Sequence, residues 1–152
     1  MKNCYFVSDL HLFSKRSRGH LHQGAIERAA ADADAFVLAG DNFDFHWSTF
    51  GSIEKSAAAA ARGLERLARG APGCQFHALL GNHDHHPALI QRLEDLSAGL
   101  PNMNWHPYFL RLGSGVFLHG DAANWRMTAE ALPRFRDRCA EKPPKYPRWN
   151  RV

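Results

Sequence analysis

Four short stretches carry side chains that bind metals or move protons. They are Asp9-Leu10-His11, Gly40-Asp41-Asn42-Phe43-Asp44, Gly81-Asn82-His83-Asp84 with His85 and His86 directly behind it, and His119-Gly120-Asp121. A carboxamide oxygen ligates a divalent cation, an imidazole ligates it or donates a proton, and an adjacent carboxylate orients that imidazole. Phosphoester hydrolysis is a reaction such a set suits. The anionic oxygens of the ester repel a nucleophile and the alkoxide leaves badly. Two cations roughly 3.5–4 Å apart counter both, by neutralising those oxygens and by generating hydroxide from a bridging water near neutral pH. Such a pair needs one carboxylate able to bridge, flanked by mixed nitrogen and oxygen ligands, and Asp9, His11, Asp41, Asn82 and His119 have those types. That mixture suits Mn, Fe or Zn better than Mg or Ca alone. The plain alternative for residues 81–86 is a Gly-Asn turn with surface histidines. Three further stretches built the same way weigh against it.

Each stretch closes an apolar run that must position it. Cys4 to Val7 reads as a short buried strand leading into Asp9 and His11, Ala35 to Ala39 as a second ending in Gly40-Asp41, and about Cys74 to Leu80 as a third. Met103 to Leu112 and Val116 to Leu118 read as two strands around Gly113-Ser114-Gly115, the second ending in His119. Between them lie helical patterns: about Gln23 to Asp32, then Ser52 as an N-cap for a long helix to about Arg69, then a helix opened by Pro87 whose Leu89, Ile90, Leu93 and Leu96 share one face. After Asp121 the signal weakens. Met127 to Cys139 reads as a helix interrupted by Pro133, and Pro143, Pro144 and Pro147 exclude regular structure beyond it. The alternation implies an α/β fold with parallel strand pairs, whose ligands bind beyond the carboxyl ends of the strands. All four stretches would then meet on one rim.

A chain of 152 residues is the size of one domain and can bury roughly 70% of its unfolded surface. Cys4, Cys74 and Cys139 are far apart and odd in number, which argues against a disulfide framework and for a reducing compartment. The apolar run Cys4 to Val7 is too short for a signal or a membrane span, so the expectation is a cytoplasmic protein. Residues 126–152 hold eight Lys and Arg against three acids, a net of +5, which leaves −1 of the total +4 for residues 1–125. For this basic tail three readings stay open: a solvated surface, a phosphate or nucleic-acid patch, and a membrane-surface anchor.

In this order the four stretches resemble the calcineurin-like metallophosphoesterase superfamily, over residues 1 to about 125. The resemblance implies a two-sheet β-sandwich flanked by helices in four layers. It implies two divalent ions, Mn foremost with Fe or Zn as alternatives. Asp9 and His11 would hold the first ion, Asp41 would bridge, Asn82 and His119 would hold the second, and His83 would protonate the leaving group with Asp84 orienting it. The nearest branch resembles the bacterial UDP-2,3-diacylglucosamine hydrolases, through Phe43-Asp44-Phe45-His46-Trp47 after Gly40-Asp41 and through His119-Gly120-Asp121. His83 stands where that branch carries Arg, and Ala122-Ala123-Asn124-Trp125 is unlike the Leu-Cys-Thr-Asp expected after His-Gly-Asp. The superfamily's closing Gly-His-x-His, one more ligand for each ion, is absent, because no histidine follows His119. Residues 1–125 therefore read as an incomplete metallophosphoesterase domain, and 126–152 as a basic, Pro-rich tail or the start of an insertion.

The expected function is two-metal-dependent hydrolysis of a phosphoester or a nucleotide-linked pyrophosphate by metal-bridging hydroxide, acting on a small molecule. The alternatives are a catalytically weak phosphate-binding fragment and a nucleic-acid-binding phosphoesterase, and a tail that engages a membrane surface would make the protein peripheral. Oligomeric state is not readable. His20, His22, His77 and His106 fit no motif, while His46 and His85 lie close enough to line a pocket or a solvated loop. Asp44 reads as an acid supporting the ligands or as a turn residue, and Trp47, Trp105 and Trp125 as core or rim packing.

Overall fold

The computed structural model describes residues 3–124, 127–143 and 145. Strands β1 (Cys4–Val7), β2 (Ala35–Ala39), β3 (Gln75–Leu79) and β4 (Met103–His106) form a parallel sheet in that order. Strand β2 is buried along its whole length, which is why it shows no polar alternation. Helices α1 (Gln23–Ala31), α2 (Ile53–Gly70) and α3 (Pro87–Gly99) cover one face. There Phe36, Leu38, Phe76, Ala78 and Met103 meet Ala57, Ala60 and Leu64 of α2 and Leu89 and Leu93 of α3. On the other face Val37, Ala39 and Leu79 pack against Leu110, Leu112 and Phe117 of an antiparallel hairpin, β5 (Phe109–Leu112) and β6 (Gly115–Leu118). The expected pair of sheets flanked by helices is therefore present. Phe109, Val116 and Leu118 on the hairpin are exposed, so among the described residues no helix covers its outer face.

Local chemistry sets the helix starts. Ser52 Oγ accepts from Lys55 N at 3.1 Å and caps α2, a contact worth about 1 kcal/mol. Pro87 opens α3, whose cap is His86, its Nδ1 accepting from Ala88 N at 3.1 Å.

Three expectations change. Strand β1, read as buried, lies at the sheet edge with Tyr5 and Phe6 exposed. The run Met103 to Leu112 is not one strand: it breaks at Pro107-Tyr108 between β4 in the parallel sheet and β5 in the hairpin, as a residue without an N–H cannot continue the ladder. Pro133 does not interrupt its helix, α4 (Ala131–Ala140), because it sits in the first turn, where no intrahelical donor is needed. Trp125 and the tail from Tyr146 to Val152 lie outside the described residues. Among the described residues no helix is long and apolar enough to cross a membrane.

Candidate metal centre

The loops after β1 and β2 continue as a pair beyond the sheet. Asp9 N donates to Gly40 O at 3.1 Å, His11 N to Asp41 O at 3.0 Å, Leu12 N to Asn42 O at 2.9 Å and Asp44 N to Leu12 O at 2.9 Å. This ladder fixes Asp9, His11, Asp41 and Asp44 relative to one another. Asp9, His11 and Asp41 have φ of 56°, 45° and 51°, a left-handed conformation that Asp and His tolerate better than most residues but that still costs on the order of 1–3 kcal/mol each. Strain is thus gathered on three residues of the expected ligand set.

The other two stretches close on this pair. A Cβ on Gly81 would fall 2.2 Å from Asp41 Oδ1, and one on Gly40, at φ +88°, would fall 2.6 Å from the His119 ring. Both glycines let polar groups approach closer than any side chain would allow. His83 N donates to Asp41 Oδ1 at 2.8 Å. His119 Nε2 lies 3.3 Å from Asp41 Oδ2, and its Nδ1 lies 3.1 Å from the Ala39 carbonyl. A carbonyl can only accept, so Nδ1 carries the proton and Nε2 keeps a lone pair for a cation when the ring is neutral.

Two groups of donors converge. Asp9, His11 and Asp41 offer ligand atoms within 4.8 Å of one another, and so do His11, Asp44 and His83. The rings of His11 and His83 meet edge to face at 4.7 Å. Asn82 is half-buried beside them, in the wall of a pocket of about 110 Å³ shared with His46, His83, His85 and Lys142. Imidazole nitrogen and carboxylate oxygen without thiolate, with the His119 tautomer fixed and two Cβ-free approaches, fit a divalent cation.

One expected role moves. Asp84 does not orient His83: its Oδ1 accepts from Gly81 N at 2.7 Å and its Oδ2 from Asn42 N at 2.9 Å and Phe43 N at 3.4 Å, which binds the β2 and β3 loops together. The carboxylate beside His83 is Asp44, whose Oδ1 lies 3.4 Å from His83 Nδ1, near enough for charge pairing but off-axis for a hydrogen bond. Its Oδ2 lies 3.7 Å from His11 Nδ1. The signal for Asp44 was its place three residues after Asp41, which sequence alone cannot tell from a turn.

The electrostatics follow from these contacts. Burial works to raise the Asp41 carboxyl, but the His119 ring and the His83 backbone N–H outweigh it and hold Asp41 below the usual carboxylate range. Asp44 is likewise lowered, with burial outweighed by His83, the Trp47 N–H and His11. The neighbouring Asp44 raises His83 against the opposing effect of burial. His119 is depressed by burial yet pushed up to about 9 by Asp41 and the Ala39 carbonyl. Asp84, buried completely and near Asp41, is raised to about 6.

An open basin of about 460 Å³ lies over Asp9, His11 and Asp44, edged by Arg16 and Arg18. Helix α4, whose Cys139 and Ala140 line the Asn82 pocket, is anchored by Arg136, which is 0% exposed. Its Nε and Nη2 each donate to Asp121 at 2.8 Å, and its Nη1 donates to the Pro107 carbonyl. His85 Nε2 lies 3.4 Å from Asp137 of the same helix. Trp47 is exposed at the rim with Lys145 Nζ 5.1 Å from its ring centre. His77 and His106 sit away from the motifs as a pair on β3 and β4, their ring nitrogens 3.1 Å apart.

A two-sheet α/β fold with nitrogen and oxygen donors at the carboxyl ends of parallel strands is the layout of the metal-dependent phosphoesterases. The calcineurin-like phosphoesterase family profile matches residues 3–148, and the chain belongs to that family. The chain is 32% identical over 123 residues to a UDP-2,3-diacylglucosamine hydrolase of Pasteurella multocida (strain Pm70), a match that covers 80% of this chain and 49% of that protein. The chain thus spans about half the length of the curated relative it matches.

Proposed function

We propose that this chain hydrolyses a small-molecule phosphoester or nucleotide-linked pyrophosphate with two divalent cations held by Asp9, His11, Asp41, Asn82 and His119, Mn foremost. The observation that carries the reading is the position of Asp41: its Oδ2 faces His119 and it shares a three-donor group with Asp9 and His11. A carboxylate placed between two nitrogen ligands suits a bridge. The ions would supply the nucleophile and neutralise the phosphate oxygens.

The chain's own groups then divide the remaining work. Arg16 and Arg18, at the edge of the basin over Asp9 and His11, attract and orient the anionic ester. His83, whose hold on its proton is strengthened by the neighbouring Asp44, gives that proton to the departing oxygen. The Asp84 carboxylate holds the Asn42 and Gly81 amides, so the loops keep their register through turnover. The likeness to a UDP-2,3-diacylglucosamine hydrolase supports a pyrophosphate-linked substrate as the first to try.

The test is a metal-supplemented screen of alkyl, aryl and nucleotide-linked phosphate esters on the full chain, with elemental analysis alongside. Mn-dependent turnover lost in Asp41→Ala is the expected result. Binding of phosphate without turnover at any supplied metal would leave only a phosphate-binding protein.

A further inference from the structure

His77 on β3 and His106 on β4 take no part in the centre described above. His77 stands four residues before Gly81, about 13 Å back along the strand at a rise of about 3.3 Å per residue. The two strands run parallel with Asn104 opposite His77 and His106 opposite Leu79. The imidazoles are therefore two positions apart in register and share one face of the sheet. His77 Nδ1 lies 3.1 Å from His106 Nε2, with the rings tilted 35° to each other. Both residues are partly exposed.

Two ring nitrogens so placed can be joined by one proton or by one metal ion. Burial lowers both rings, and His106 lowers His77 further. At pH 7 the rings are neutral, and one N–H can donate across the gap to the other ring's lone pair. A divalent cation in place of that proton uses both lone pairs. At nitrogen–metal bonds of about 2.0–2.1 Å, nitrogens 3.1 Å apart subtend about 100° at a shared ion. That angle lies between the square-planar and the tetrahedral one, so the nitrogens need not move closer or further apart. Among the described residues neither ring is in an ion pair. Imidazole donors without a carboxylate favour Cu²⁺, Ni²⁺ and Zn²⁺ over Mn²⁺ and Mg²⁺. We propose that His77 Nδ1 and His106 Nε2 chelate one such transition-metal cation, with water completing its coordination, at a site separate from the centre around Asp41. A bound ion ties the edge strand β4 to β3, the strand that carries the 81–84 stretch. The site is independent of the function proposed above.

The experiment is titration of the metal-free full chain with Zn²⁺, comparing the parent with His77→Gln and following the imidazole nitrogens by ¹⁵N NMR. Zinc taken up by the centre around Asp41 is common to both proteins and cancels in the comparison. The parent is expected to bind one more zinc per chain than His77→Gln. The spectra carry a signature that a merely structural pair would not give. Zinc should hold His77 with its proton on Nε2 and His106 with its proton on Nδ1, and the two bound nitrogens should shift together at the same zinc concentration. Should His77→Gln fold poorly, His106→Gln on the edge strand is the second variant and is read in the same way. Equal zinc uptake by the parent and a folded variant, or His77 and His106 nitrogens unmoved at saturating zinc, overturns the proposal.

Discussion

His119 and Asp41 face each other across the ends of β6 and β2, with Nε2 3.3 Å from Oδ2, while His119 Nδ1 is held by the Ala39 carbonyl one strand residue before Gly40-Asp41. The segment that carries the carboxylate thus also fixes the tautomer of the imidazole opposite it. In the metal-free protein the two form an ion pair, and His119 is pushed up to about 9.

Metal uptake should therefore expel a proton. A cation at Nε2 needs the neutral ring, and below a pH of about 9 that ring is charged. Titrations in buffers of differing ionisation enthalpy should show nearly one proton released from this site at neutral pH and progressively less above pH 9. For the metal-free fold the sign is opposite to that of a buried neutral histidine. A raised value stabilises fully below the ordinary 6.5 and is lost as pH rises through about 9. The melting temperature of the metal-free chain should fall over that window, and His119→Ala should flatten the fall. Uptake with no proton release near neutrality would remove His119 from the ligand set.

Asp41 and His83 should separate cleanly. Asp41→Ala removes the carboxylate that faces His119 and groups with Asp9 and His11, so metal content and turnover should vanish together. His83→Ala should keep the metal and slow turnover of alkyl phosphates by about 10²–10⁴-fold, the usual worth of general acid catalysis. Aryl phosphates, whose leaving groups need less protonation, should suffer less. Loss of metal in His83→Ala would make His83 a ligand, consistent with its group with His11 and Asp44, and would defeat the acid role.

Asp44 sets the proton affinity of His83, so Asp44→Asn should act through pH. With the carboxylate 3.4 Å from Nδ1 neutralised, His83 loses the main influence raising it. The acid is then spent at lower pH, and the alkaline limb of the turnover profile should move towards acid. An unmoved limb with reduced amplitude would assign Asp44 to metal or packing instead.

Much of this was legible in sequence because the ligand types sit at the ends of apolar runs. Ala35–Ala39 and Gln75–Leu79 place Asp41 and the 81–84 stretch directly, since a short buried strand leaves its next residues no choice of rim. Asp84 was misread because neighbours in sequence do not share a direction in a tight turn: His83 turns to Asp44 while Asp84 turns inward to three backbone amides. Strand β1 looked buried because a β-rich apolar tetrapeptide reads alike in the centre and at the edge of a sheet. The break at Pro107 was visible as a residue but not as a change of sheet, which depends on what Leu110 finds to pack against.

The Arg136–Asp121 pair makes a sharper stability prediction than any surface contact. Removing one partner of a buried pair strands the other charge and typically costs about 3–5 kcal/mol. Asp121→Ala should cost about that much or release α4, seen as a lower melting point or as faster amide exchange in 131–140. Asp121→Ala combined with Arg136→Met should recover most of it. A single substitution costing under about 1 kcal/mol would show that the pair is solvated in solution.

Asp121 follows His119 by two residues, so one short loop is answerable to both a helix and a cation. If docking α4 through Asp121 shifts the free energy of the ring at His119, then by thermodynamic reciprocity a cation at that ring shifts the docking of α4 by the same amount. The helix could then report on the centre without supplying a ligand to it. Metal addition should slow exchange along α4 even though none of its residues is counted among the ligands.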